Sequence, residues 1–419
     1  MIIRRLGSVG SRNTLGTVGA SLIGQIAQLV SGVASARLLG PTLRGDLAFL
    51  SIVPNVAAQV AHLGVPSAVA YFTARRPRDY SGIAKAGIRL TFIPALAGGL
   101  GSSLIVALTG YAGTDWPIII LITSAFVPTS VIQLVALSSL NGRQRFLAFN
   151  VQRVLPIVLN ATALAALLVL HIPSVVLALV ALLVSQAVST AASLVSTRAV
   201  EGDLSTDERG VLLRFGLKSL PATWSPVETF RLDQFVVGIG LGTPTLGFYA
   251  AAAAFSVLPR LISQAVAMAG YPMIVAQKTN ADMTRTALLV ITSASALVII
   301  ITVSLEVMLP QITEVFFGTA FLPAVDVARI LLPAAAFMSF RRVMAESSRA
   351  LGRPELDSLS EVSSWPVLAA ALLVLTPLLG AVGVALSILL AYVTATMIAA
   401  LLLGRALVSG QFGRVATGQ

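Results

Sequence analysis

The stretch "VETFRLDQFVVG", Val227 to Gly238, sets Glu228, Arg231 and Asp233 close together in a chain with few charges. If this stretch is a membrane span, it is the seventh of an even series, and every later loop keeps its side of the bilayer. If it is a loop, the assignment of every later segment inverts. The surroundings decide the matter. The 419 residues are 56% hydrophobic and only 11% charged, with a mean hydropathy of +0.91. A soluble domain cannot hide that much apolar surface, because its outside must still face water. Runs of about 20 apolar residues, enough to cross ~30 Å of hydrocarbon, recur from end to end. The fold class is all-α, a polytopic membrane protein, and Val227–Gly238 lies inside a span.

Hydropathy read against charged and Gly/Pro breaks predicts twelve spans: 13–36, 47–72, 83–109, 116–140, 147–170, 173–197, 213–239, 246–272, 286–309, 322–346, 362–379 and 381–404. The longest connection lies near 198–212. With the N-terminus in the cytoplasm, the inner segments hold twenty Lys and Arg, among them Arg4, Arg5, Arg12, Arg198, Lys278, Arg341 and Arg414. The opposite loops hold two, Arg37 and Arg44. Positive residues mark cytoplasmic loops, so the expectation is a cell (inner) membrane protein with both termini cytoplasmic. The N-terminal apolar run ending at Ala34-Ser35-Ala36 imitates a cleaved signal. Gln25 and Gln28 within it, and the spans that follow at once, favour an uncleaved first helix.

A weak repeat organises the spans. "LLGPTLRGDLAFLS" (38–51) follows the first, and "GLGTPTLGFYAAAA" (240–253) follows the seventh; the shared Pro-Thr-Leu begins at Pro41 and again at Pro244. Six spans lie between, so the halves share an orientation. The expectation is two six-helix bundles, residues 1–200 and 201–419, related by a pseudo-two-fold along the membrane normal, with a site between them.

Several chemistries are excluded. Cysteine is absent, and His62 and His171 form no metal-spaced pair. Lys85, Lys218 and Lys278 are the only lysines and none follows a glycine, so there is no phosphate-binding loop. The outer loops are too short for a catalytic domain, so no enzyme and no cofactor are expected. The net charge of +11 has no interleaved aromatic patch, and nucleic acid is not an expected partner.

Polar residues inside a bilayer are costly and usually face a protein interior or a watery cavity. Ser21, Gln25, Gln28, Gly32 and Ser35 share one face of span 1 at steps of four and three. Ser51, Asn55, Gln59 and His62 do so on span 2, and Asn150, Arg153 and Asn160 mark span 5. Span 8 carries Tyr249, Ser256, Arg260, Ser263 and Gln264. On a continuous seventh helix, Trp224, Glu228 and Arg231 share a face, with Glu228 and Arg231 able to pair. Asp233 then points away, with Arg260 one candidate partner. These faces suggest a polar, basic-leaning central cavity. The competing reading is that Ser, Gln and Asn merely bond helices together.

Two turns carry a resemblance to a family. "ARLLGPTLRGDLAFLS" (36–51) resembles the first inter-helix turn of Wzx-type oligosaccharide flippases, with Ala36, Arg37, Leu39, Gly40, Pro41, Gly45 and Ala48 in place. "RLDQFVVGIGLGTPTLGFYAAAA" (231–253) resembles the family's seventh and eighth spans through Asp233, Gly247, Tyr249 and Ala252. The family sits in the broad group of multidrug/toxin extruders and lipid II flippases. The resemblance implies export of polyprenyl-diphosphate-linked oligosaccharide for cell-surface polysaccharide, in the company of membrane lipid and of glycosyltransferases or a polymerase of the same pathway. Arg231 and Arg260 would then suit the diphosphate, since guanidinium takes phosphate bidentately. Two alternatives stay open: a cation antiporter of the multidrug type, using acids such as Glu306 or Asp326, and a non-transporting scaffold.

Overall fold

The computed structural model describes residues 2–111, 113–197, 204–277 and 279–409. Arg198, Lys278, Arg414 and the 198–203 part of the expected link lie outside them, as do the side chains of Arg4, Arg5 and Arg12. Regular structure among the described residues is entirely helical. Contacts divide the chain into two compact units, Met1–Ile239 and Gly240–Gln419.

Unit 1 runs through α1 (Ile2–Ala61), α2 (Val65–Arg75), α3 (Tyr80–Thr109), α4 (Trp116–Gly142), α5 (Phe146–Val169), α6 (Val175–Thr197), α7 (Thr206–Thr223) and α8 (Leu232–Leu241), the last crossing the division. Unit 2 holds α9 (Thr243–Phe255), α10 (Val257–Val275), α11 (Asn280–Phe317), α12 (Ala324–Ala350) and α13 (Glu355–Ser409). α1 bends at Gly40 (φ 67°, ψ −179°) and α13 at Gly380 (φ 59°, ψ −133°), so each supplies two rods. Only glycine takes such left-handed conformations without Cβ strain. Counting α2 as the continuation of the second rod, and α7–α8 and α9–α10 as interrupted single rods, the rods among the described residues number twelve and fall on the twelve predicted spans.

Among the described residues, eight helices are long and apolar enough to cross a membrane, the double rods α1 and α13 included. Large apolar side chains such as Leu108, Ile93 and Leu373 stand exposed, as they must where the surrounding solvent is hydrocarbon. α12 is too polar to qualify, with Asp326, Arg329, Arg341, Arg342, Glu346 and Arg349 along it. It packs on α9, α10, α11 and α13, so protein rather than lipid surrounds it. Buried Arg341 there meets Asp357 at 2.9 Å and Glu361 at 2.7 Å.

Three sequence expectations need revision. Residues 206–212 are not connection but the start of α7. There Ser205 and Glu208 form a reciprocal capping box that satisfies two otherwise orphaned N–H groups. Span 2 is not one rod: it breaks at 62–64, where Gly64 takes φ 68°. Imidazole fills the gap, His62 Nδ1 accepting from the Gly64 N–H at 2.9 Å while Nε2 lies 3.2 Å from Gln59 Oε1. Span 7, expected as a continuous helix over 213–239, is broken over eight residues. The contact division between 239 and 240, later than the expected 200/201, follows from that span: α7 packs on α2 and α3.

Candidate functional site

The break in span 7 has a local cause. Pro226 has no N–H to give a helix, and it pushes Ser225 before it out of the α region. Trp224 ends α7 in extended conformation (φ −86°, ψ 123°). The chain then turns on itself. The Thr229 and Phe230 N–H groups donate to the Ser225 carbonyl at 3.0 and 3.2 Å, and Leu232 N–H donates to the Pro226 carbonyl at 3.0 Å. Thr229 Oγ1 accepts the Ser225 N–H at 3.2 Å. Arg231 adopts φ 46°, a left-handed conformation costing roughly 1–2 kcal/mol in a non-glycine residue. Helix resumes at Leu232.

This geometry replaces the expected single face of Trp224, Glu228 and Arg231. Arg231 is exposed at the hinge, Glu228 is half-buried in the turn, and Asp233 is buried in the first turn of α8 beside buried Gln234. Irregular backbone at membrane depth is tolerated only when buried in protein or lining a watery space. Strained non-glycine residues that persist gather at functional sites.

Both sides of the break are anchored within unit 1. Phe235 of α8 stacks on fully buried Phe49 at 6.3 Å, Tyr111 meets Phe49 edge-on at 4.9 Å, and Tyr111 Oη donates to the Gly238 carbonyl at 2.9 Å. On the other side, Phe215 of α7 stacks on Tyr71 of α2 at 4.6 Å. There Gly64 and Gly216 bring backbones together so closely that a Cβ on Gly64 would lie 2.1 Å from the Gly216 carbonyl oxygen.

The remaining expected site residues separate into two sets. Every polar residue singled out on α5 is used against α1: Asn150 donates to Thr17 at 3.0 Å, Arg153 to Ser21 at 2.9 Å and Asn160 to Ser31 at 3.3 Å. Arg153 also lies 5.5 Å from the Phe149 ring centre. These contacts bond helices together. Gln25 and Gln28, one half-buried and one exposed on the same face of α1 as Ser21, have no hydrogen-bond partner among the described residues. Asn55 is exposed and donates to its own helix at Ser51 O, 2.7 Å away, and Gln59 engages His62. In unit 2, Arg260 is half-buried on α10, its Nε donating to the Ser256 carbonyl at 3.1 Å.

Sequence reasoning missed two features. Arg44, placed in an outer loop, is buried and donates to the Gly32 carbonyl at 2.8 Å and to Ser35 Oγ. Gln133, Gln152 and Gln186 link α4, α5 and α6: Gln186 donates to Gln133 Oε1, and Gln133 to the Gln152 carbonyl at 3.2 Å. None of the three glutamines falls on the polar faces that the spacing marks, so no repeating pattern announced them.

With this geometry in place, comparison with solved structures fixes the fold. An inward-facing multidrug resistance MATE-family transporter of the MOP superfamily aligns with a TM-score of 0.72 at 16% identity, over 94% of this chain and 98% of that one. The lipid II flippase MurJ in an inward closed conformation aligns at 0.76 and 14% identity, over 93% and 87%. A MOP-superfamily transporter from Pyrococcus furiosus, described as having a binding pocket of reverse polarity, aligns at 0.63 and 16% identity, over 95% of each chain. The fold is therefore shared with these multi-pass membrane proteins. A family model described as polysaccharide biosynthesis protein matches residues 35–326, more than half of the chain. The chain belongs to that family. No curated protein matches the sequence.

Proposed function

We propose that this protein moves polyprenyl-diphosphate-linked oligosaccharide from the cytoplasmic to the outer leaflet by alternating access, both its termini being cytoplasmic. The observation that carries the proposal is an exposed arginine, Arg231, at the unwound middle of a broken span in a polysaccharide-biosynthesis family member. A hydroxyl moved into hydrocarbon without a partner costs roughly 2–7 kcal/mol, so a sugar chain needs a protein route. Gln25, Gln28 and Asn55 offer exchangeable hydrogen bonds to it, while the polyprenyl tail stays in lipid. Arg231 supplies the cationic chemistry a diphosphate needs. An unwound segment between half-helices is the kind of element from which transporters build substrate sites.

Vesicles reconstituted with the purified chain and a polyprenyl-diphosphate oligosaccharide test this by outer-leaflet appearance of the sugar. A charge-assisted hydrogen bond contributes about 1.5–3 kcal/mol, so Arg231→Ala should slow flipping roughly 10- to 100-fold. Wild-type vesicles no faster than empty ones refute the proposal. Proton- or Na⁺-driven uptake of organic cations by the same vesicles would establish the antiporter instead.

A further inference from the structure

Unit 2 holds, where the two ends of α13 meet, a feature that the proposed flipping reaction does not use. A cleft of about 700 Å³ lies between the beginning and the end of α13, bordered by Arg353 and Leu356 on one side and by Leu401, Gly404, Arg405 and Val408 on the other. Its walls are apolar, and Leu401, inside the predicted span 381–404, is exposed outward. In a helix that crosses a bilayer, such exposure is exposure to lipid chains. At the rim stand two guanidinium groups. Arg353 shares its Nε with Glu355. Arg405 is exposed and has no ion partner among the described residues.

We propose that this cleft binds an anionic phospholipid of the adjoining leaflet, its phosphate at Arg405 and Arg353 and an acyl chain along Leu401. Charge selects the occupant. Basic pockets between membrane helices favour acidic headgroups over zwitterionic ones, and apolar walls open to hydrocarbon favour a molecule that brings its own chain. A soluble anion would satisfy the rim alone, and a peptide would leave polar backbone against the apolar walls. The proposal rests on membrane embedding and on the cleft, not on the flippase reading, so either can fail without the other.

The test is lipid retention by the purified full-length chain in mixed nanodiscs of phosphatidylglycerol and phosphatidylcholine, read by native mass spectrometry. Wild type should hold phosphatidylglycerol above its bulk fraction, and Arg405→Gln should lower that enrichment roughly fivefold, the effect of one basic residue near a charged headgroup. Gly404→Trp fills the cleft without altering charge, and a Cβ there meets nothing within 4 Å. It should displace the lipid while leaving thermal stability unchanged. Arg214→Gln, an exposed site on α7, should change nothing. Bulk-like retention by wild type, or unchanged enrichment in both cleft variants, overturns the proposal. So does enrichment that appears only in a chain ending at Ser409, which would make residues 410–419 the occupant. Displacement of the lipid by excess inorganic phosphate would likewise overturn it, as the mark of a simple anion site.

Discussion

Predicted spans 5 and 7 both place arginine and amide or carboxylate side chains within unit 1, and they resolve the cost in opposite ways. α5 stays helical through Pro156 and uses Asn150, Arg153 and Asn160 against hydroxyls of α1. Span 7 gives up its helix over 224–231, folds the freed backbone onto itself, and leaves Arg231 exposed in a strained conformation. Partnered polar side chains on an intact helix join helices. An opened backbone carrying an exposed cation is where a ligand can be met.

That contrast predicts a graded series of effects. The largest is structural. Gly64→Ala would drive a Cβ into the Gly216 carbonyl at a left-handed backbone position, and overpacking of this kind costs on the order of 3 kcal/mol. Thermal unfolding in detergent should fall sharply, whereas Gly101→Ala, with open space at its Cβ, should leave it unchanged. Next comes the turn itself. Thr229→Val removes the hydroxyl that accepts the Ser225 N–H, and loss of such a half-buried bond costs about 0.5–1.5 kcal/mol. Faster amide exchange confined to 224–232 would report it, and protection equal to wild type would show that the turn does not depend on this bond.

A smaller effect is expected at the intact helix. Arg153→Ala should cost about 0.6 kcal/mol, the usual size of an interhelical hydrogen bond in a membrane, and leave transport rates alone. Slowed transport without loss of stability would move Arg153 to the functional side of the comparison. The smallest effect concerns the exposed base of α7. There the Arg76 hydrogen bond at 2.6 Å, helped by the Ser205 N–H, holds the Glu208 carboxyl below its ordinary value of 4.5. Because the folded value is depressed, this contribution is complete above pH 4.5 and fades as pH falls through the lower folded value. Stability of wild type should therefore drop more between neutral and acid pH than that of Glu208→Gln.

Much of the fold was legible because hydropathy is a property of single segments. The break at Gly380 falls between two predicted spans, and the twelve rods occupy the predicted stretches. The break in span 7 was not legible. The spacing of Trp224, Glu228 and Arg231 fits a helical face, and prolines in membrane helices usually only kink them, so nothing in the pattern favours an eight-residue turn. The polar residues of α1 and α5 were visible in the sequence. Which of their residues are spent on each other depends on the register between two helices far apart in sequence, and one chain without its relatives carries no record of that register.

The central claim is that the opened backbone of span 7, and not polarity as such, marks where substrate is met. Side-by-side flipping of polyprenyl-diphosphate oligosaccharide in vesicles containing Arg231→Ala or Arg153→Ala tests it most directly. The account predicts a loss of at least roughly tenfold for the first, consistent with one charge-assisted bond, and a near wild-type rate for the second. Equal rates for the two variants, or a greater loss at Arg153, would contradict it.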